Sequence, residues 1–206
     1  MTLELVFPAL GKALPTDHAY ALYAALSGVV SQFHDETSPL RFAPITGRAT
    51  PDGLLRLTEH SCLRVRLPAD MVQVALPLAG KRLTIGDAFV RLGVPSVRSL
   101  VGAPSVIARL VTFKNADTPE QFLTTARAKL ADLGVAGETQ LPLHVDGDRA
   151  GTPQRRVVRV KGVTIPGYSL IVAELSAADS LILQESGLGG RTRLGCGFFT
   201  SIKSAS

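Results

Sequence analysis

Tryptophan is absent from this chain, and aromatic residues make up only 5% of it. That scarcity argues against a broad base-stacking sheet of the RNA-recognition type. Cysteine occurs twice, as Cys62 and Cys196. Two isolated thiols build no disulfide framework, and they fit the reduced state of a cytoplasmic protein. The four histidines and two cysteines include no pair at metal-ligand spacing, so neither a metal nor any other cofactor is expected. No uninterrupted apolar run of about 18 residues occurs, which excludes a transmembrane helix of the usual kind. The first residues, "MTLELVF", lack a basic segment ahead of the apolar ones and read as a strand rather than a signal peptide. Two glycine signatures are also missing. No string matches the phosphate-binding loop that ends in Gly-Lys-Ser/Thr. In "GLGGRTRLGCGFF", Gly187 to Phe199, Thr192 stands where a dinucleotide fingerprint needs its third glycine, and a helix rather than a strand is expected before it.

What is present is apolar content of 46% and a formal net charge of +5. The first supports one large core or two small ones. The second favours an anionic partner such as nucleic acid. "LELVF" is a strand, and "LPTDHAYALYAALSGVVSQFH" reads as one helix started by Pro15 and Thr16 or Asp17. Leu22, Leu26, Val29, Val30 and Phe33 form its buried stripe. Strand-like runs follow at Leu40 to Gly47 and Leu54 to Leu67, then a short helix in "ADMVQVAL", then strand character in "KRLTIGDAFVRLG". The second half repeats the order. "VIARLVTFK" is a strand. "TPEQFLTTARAKLADLG" is a helix with Thr118 and Gln121 as a capping box, Pro119 at its first position and Gly134 at its end. "RRVVRVKGVTI" and "YSLIVAEL" are expected to form a hairpin across Pro166-Gly167, "AADSLILQES" a helix capped by Ser176, and "CGFFTSI" the last strand. The order strand, helix, two strands, helix, strand, used twice, predicts an α+β protein of two tandem ferredoxin-like βαββαβ domains, residues 1–103 and 104–206.

The glycine-rich stretch holds five glycines and two arginines. Gly187, Gly189, Gly190, Gly195 and Gly197 lack side chains, so their amides can approach an anion closely, with Arg191 and Arg193 adding charge. A helix cap followed by a tight turn is the plainer alternative. "RRVVRVK" places Arg155, Arg159 and Lys161 on one strand face and Arg156 on the other. Together these basic residues read as a phosphate track.

The pattern Gly187, Gly189, "GRTRL", Gly195, Gly197, "FF" resembles the C-terminal motif of the RAMP superfamily of CRISPR-associated proteins. The segment "FHDETSPLRFAPITG" resembles that of the endoribonuclease that cuts CRISPR repeat transcripts, in its small Myxococcus-type form. The resemblance spans nearly the whole chain. It implies two ferredoxin-like domains and metal-free cleavage of repeat RNA by 2′-hydroxyl attack, leaving a 2′,3′-cyclic phosphate and a 5′-hydroxyl. It also implies CRISPR repeat RNA or mature guide RNA as partner, and subunits of a CRISPR effector complex. Its catalytic histidine, tyrosine and basic residue fall on His34, Tyr20 and Arg41.

The residues themselves leave choices open. If the first helix continues to His34, then Tyr20, Tyr23, Ser27 and His34 lie within about 60° of one another around it, so either tyrosine is placed to orient a hydroxyl. His18 is the rival histidine. His60 and His144 read as structural or solvated. Competing functions are a RAMP subunit that only binds guide RNA, and a small-molecule-binding ferredoxin-like protein, which the basic charge opposes.

Overall fold

The computed structural model describes residues 1–202. The chain divides into two compact units. The first is Met1–Ser99 together with Arg193–Gly195, and the second is Leu100–Thr192 with the remainder from Cys196. The division falls slightly before Ala103-Pro104 because the connecting residues pack on a helix of the second unit. Gln184 Nε2 donates to the Val101 carbonyl at 2.9 Å, and the Ala103 amide donates to Ser180 Oγ at 3.1 Å.

The first unit runs β1 (Thr2–Leu10), β2 (Ala13–Pro15), α1 (Ala19–Val29), β3 (Arg41–Ala43), β4 (Arg48–Ala49), β5 (Leu54–Arg56), β6 (Cys62–Pro68), α2 (Val72–Ala75), β7 (Arg82–Ile85), β8 (Ala88–Leu92) and β9 (Ser96–Ser99). Its main sheet has the order β3-β6-β1-β8-β7, with β9 also on β1; β2, β5 and β4 form a small separate sheet. Alternation decides the faces. Leu5, Phe7, Leu63, Val65, Leu67 and Phe42 point to one side and pack with Leu22 and Leu26 of α1.

The first helix is shorter than its apolar spacing predicts. It ends at Val29, and Val30 is extended (φ −129°, ψ 98°). Ser27, Gly28, Val29 and Val30 are all weak helix formers. After them a single 3₁₀ turn covers Ser31–Phe33.

The second unit runs β10 (Val106–Val111), α3 (Pro119–Asp132), β11 (Glu138–Gln140), β12 (Arg155–Val160), β13 (Val163–Ala173), α4 (Ala177–Ser186) and β14 (Phe199–Ser201). Its sheet order is β11-β13-β10-β14, all antiparallel, with β12 added to β13. This is the split ferredoxin-like arrangement. Phe122, Ala126 and Leu130 of α3 and Leu183 of α4 close its core against Leu170, Val172 and Phe199. The capping box of α3 forms in full, and Ser176 caps α4.

Two expectations for this half need correcting. The hairpin turns at Lys161 (φ 49°) and Gly162 (φ 83°), a two-residue turn with both residues left-handed, as strand twist favours. Pro166 and Gly167 lie inside β13, opposite Val157 and Arg156. A Cβ on Gly167 would overlap the Val111 carbonyl, and the β10–β13 register is irregular between Ala108 and Val111. Gly167 therefore marks a close strand approach, not a turn. The second ferredoxin strand is β11, whose three residues, all polar, carry little strand signal.

Candidate functional site

His34 follows an anchored turn. Val30 and Phe33 are buried, and the Phe33 ring meets Phe42 edge-on at 5.9 Å. Those two anchors turn the next residue outward, and His34 is exposed. Its Nδ1 lies 2.9 Å from the Tyr23 hydroxyl. Tyr20 is stacked on Tyr23 at 6.5 Å between ring centres. The structure thus joins His34 to Tyr23 directly, and places Tyr20 one ring away. The continuous helix that would have aligned Tyr20, Ser27 and His34 is interrupted at Val30. The Ser27 hydroxyl is buried instead.

The segment after His34 is fixed by local bonds. Asp35 Oδ1 accepts from the Thr37 amide at 2.9 Å and from the Thr37 hydroxyl at 2.8 Å. Those bonds, with the Arg193 charge as a smaller contribution, hold the Asp35 carboxyl below its ordinary value. Arg193 ties the segment down. It donates to the His34 carbonyl at 3.2 Å and to Glu36 Oε1 at 2.8 Å. The sequence grouped Arg193 with the glycine loop; the structure puts it beside His34. Nothing in a single sequence signals a contact across 159 positions.

Arg41 opens β3 opposite Arg66, which itself stands opposite Glu4. These three share one sheet face. Glu4 accepts from Arg66 Nε at 2.9 Å and from Arg64 Nη1 at 3.1 Å. Arg41 is half-buried, and burial lowers its pKa from the ordinary arginine value. Among the described residues no hydrogen bond is recorded between Arg41 and His34 or either tyrosine. His18 is only 1% exposed, and its Nδ1 donates to the Pro15 carbonyl at 2.8 Å. A phosphate cannot reach an imidazole so enclosed.

The glycines answer mainly to the protein's own backbone. Gly187 caps α4 at φ 69°. A Cβ on Gly187 would stand 2.7 Å from the Gly197 carbonyl, and one on Gly189 2.7 Å from that of Thr112; one on Gly197 would overlap the Leu188 carbonyl. A Cβ on Gly195 would come within 2.6 Å of Pro44 Cδ. The Gly187, Gly190 and Gly197 amides donate to the Leu183, Thr112 and Leu110 carbonyls, so they are not held open for an anion. The exposed part is Gly189, Gly190 and Arg191. Thr112 grips it twice, accepting from the Gly190 amide at 2.8 Å and donating through Oγ1 to the Gly190 carbonyl at 3.1 Å. Arg191 sits in the left-handed region at φ 58°, unusual for a residue with a side chain. Beside it a pocket of about 570 Å³ is lined by Thr112, Phe113, Lys114, Lys129, Ile165 and this loop tip.

On β12, Arg155 and Arg159 share an exposed face with Val157. Lys161 is a turn residue, not a strand-face one. Arg156 is half-buried and donates to Ser169 Oγ at 3.0 Å and Gln154 Oε1 at 3.2 Å. Burial first, and the nearby Arg149 charge second, lower its pKa.

A family profile described as Cas6 Crispr matches residues 3–204. The chain belongs to the Cas6 family. The CRISPR-associated endonuclease Cas6 of Myxococcus xanthus (strain DK1622) is 38% identical over 197 residues, which cover 96% of this chain and 80% of that protein. Among solved structures, a CRISPR associated protein Cas6 aligns with a TM-score of 0.66 at 11% identity, over 98% of this chain and 99% of that one. A structure titled "An RAMP protein binding different RNA substrates" aligns at 0.64 and 15% identity, over 98% and 100%. These likenesses establish the Cas6 fold of tandem ferredoxin-like domains. No described helix of this Cas6 protein is long and apolar enough to cross a membrane. Among the described residues no group of three metal-ligating side chains is gathered.

Proposed function

We propose that this Cas6 protein is an endoribonuclease that cuts CRISPR repeat transcripts into guide RNAs at a site built on His34 and Tyr23. The observation that carries the reading is the exposed imidazole held through Nδ1 by a tyrosine, in a chain 38% identical to a CRISPR-associated endonuclease. The reaction is cleavage by the 2′-hydroxyl. With Nδ1–H donating to the Tyr23 oxygen, the Nε2 lone pair faces outward and takes the 2′-hydroxyl proton. The 2′-oxygen attacks the adjacent phosphorus, the bond from phosphorus to the 5′-oxygen breaks, and that oxygen takes a proton from solvent water, to which His34 returns the one it accepted. The products are a 2′,3′-cyclic phosphate and a 5′-hydroxyl.

Arg193 is a positioning residue that fixes the His34 segment. Arg41 supplies positive charge; an arginine stays protonated and donates no proton to the leaving oxygen. No metal is needed for these steps. Arg155 and Arg159, with Lys161 at the adjoining turn, and Arg191 with Lys114 beside the second unit's pocket, hold RNA phosphates. The product RNA then passes with the protein to effector-complex subunits.

The test is a labelled repeat RNA incubated with the protein in EDTA. A single cut bearing a cyclic phosphate is expected, and a 2′-deoxy nucleotide just upstream of the cut should block cleavage while sparing binding. Activity lost in EDTA and restored by magnesium, or cleavage of the deoxy substrate, refutes the reaction.

A further inference from the structure

The β7–β8 hairpin of the first unit carries a surface that the cleavage chemistry does not use. The strands pair through Arg82↔Arg91, Leu83↔Val90, Thr84↔Phe89 and Ile85↔Ala88. They meet at a two-residue turn whose first residue, Gly86, has φ 62°. Leu83, Ile85, Val90 and Leu92 are buried in the core. Period-two alternation sends Arg82, Thr84, Phe89 and Arg91 to the opposite face, where Leu10 of β1 joins them opposite Arg91. Phe89 is 51% exposed and Leu10 54% exposed.

Three features of this face are costly without a partner. Two arginines are cross-strand partners, and like charges paired in this way destabilise a strand pair. Among the described residues no carboxylate forms an ion pair with either. A phenylalanine ring is held half in water, with the Arg82 guanidinium 4.0 Å from its centre. Cation–π attraction holds that guanidinium over the ring, so aromatic and cationic surface lie together, beside the second positive charge of Arg91. β7 ends the sheet, which leaves the platform open along one side.

We propose that this hairpin face binds single-stranded RNA, with a base stacked against Phe89 and Arg82 and adjacent phosphates held by Arg82 and Arg91. A stacked π-surface beside a row of cations is the chemistry of sequence-tolerant single-strand binding. Residues 81–91 carry Lys81, Arg82 and Arg91 against Asp87 alone, so an acidic strand is the complementary occupant. One exposed aromatic is a local device and is compatible with the low aromatic content of the chain. The ligand is the unpaired flank of a transcript. The inference extends the reading of the protein as an RNA enzyme but is tested apart from it.

The experiment uses the full chain and a 12-nucleotide oligouridine containing 4-thiouridine, which has neither repeat sequence nor stem. Cross-linking followed by trypsin should yield labelled peptide Leu83–Arg91, whose one aromatic residue is Phe89. The Arg82→Ala/Arg91→Ala variant should bind oligouridine with a log–log salt slope lower by about 1.4, at about 0.7 per phosphate contact. Phe89→Ala should weaken binding roughly 5- to 150-fold. Both variants should cut an unflanked repeat stem at the parental rate. Cross-links confined to other peptides, or unchanged oligouridine affinity in the variants, overturn the proposal. If the parent protein cross-links as expected but cuts no repeat RNA, the cleavage reading fails and this one stands.

Discussion

Removing the Tyr23 hydroxyl tests that residue against Tyr20, on which the family resemblance falls. In Tyr23→Phe the ring and its stack on Tyr20 remain, and only the 2.9 Å contact to His34 Nδ1 is lost. A hydrogen bond of this kind contributes about 0.5 to 1.5 kcal/mol. At about 1.36 kcal/mol per tenfold, its loss slows cleavage about 2- to 12-fold when its role is to hold the imidazole in one tautomer and direction. His34→Ala removes the proton acceptor itself and should cost about 10²- to 10⁴-fold. Tyr20→Phe touches nothing on His34 and should stay within about twofold of the parent. The assay is single-turnover cleavage of labelled repeat RNA with enzyme in excess, so that binding and product release drop out. The order His34→Ala, then Tyr23→Phe, then Tyr20→Phe is the expected result. A large defect in Tyr20→Phe with none in Tyr23→Phe would show that the histidine's partner is misassigned. Parental activity in His34→Ala would falsify the site.

Three further outcomes follow from the same geometry. Arg193→Ala should slow cleavage by releasing the His34 segment. Glu36→Ala should do so less, because that exposed ion pair contributes at most about 1 kcal/mol; a cleavage defect in Glu36→Ala larger than in Arg193→Ala contradicts the positioning role. Gly197→Ala puts a Cβ into the Leu188 carbonyl at φ 66°, so its melting temperature or soluble yield should fall sharply, and a parental melting curve refutes the packing account. Gly190→Ala has no such clash, its nearest atom being Thr112 Oγ1 at 3.5 Å. It should fold normally, and repeat-RNA affinity measured by filter binding then reports on the loop tip alone; an unfolded variant refutes this reading.

Periodicity and capping made much of the fold legible. The capping box at Thr118 and Gln121, the cap at Ser176 and the buried stripes of α1 and α3 are local signals, set by residues within a few positions of one another. What escaped was either short or long-range. β11 is three residues long, too short for alternation to show. Pro166-Gly167 carries the stronger local turn signal, and the fact that keeps it inside a strand, that the β10 backbone presses on Gly167, is a tertiary one. In the candidate site, His34 stands out locally, as a histidine beside an acidic loop and an arginine-led strand. Tyr23 shares a helical stripe with Tyr20, and spacing alone does not choose between them. Its selection depends on Val30 leaving the helix and on Phe33 burying against Phe42, which redirects His34 by a route that helical geometry does not contain.

The glycine stretch illustrates why a motif's residues need not share one role. Its close approaches are to Thr112, Leu188, Gly197 and Pro44, and three of its amides are spent on carbonyls of the chain. The physics that demands glycine there is interior packing. Arg193 is drawn out of the stretch to hold the His34 segment. The tip, Gly189 to Arg191, is the most exposed part, and there Thr112 fixes the backbone so that Arg191 is presented in a left-handed conformation that a side chain adopts rarely. Charge replacement therefore tests this loop better than glycine replacement. In Arg191→Ala the fold is unaltered, because the side chain is exposed and the positive φ costs alanine no more than arginine. Loss of one phosphate contact should then lower the log–log salt slope of repeat-RNA binding by about 0.7 to 0.9. An unchanged slope would place the phosphates elsewhere, and leave the loop as a packing device whose exposed arginine is merely solvated.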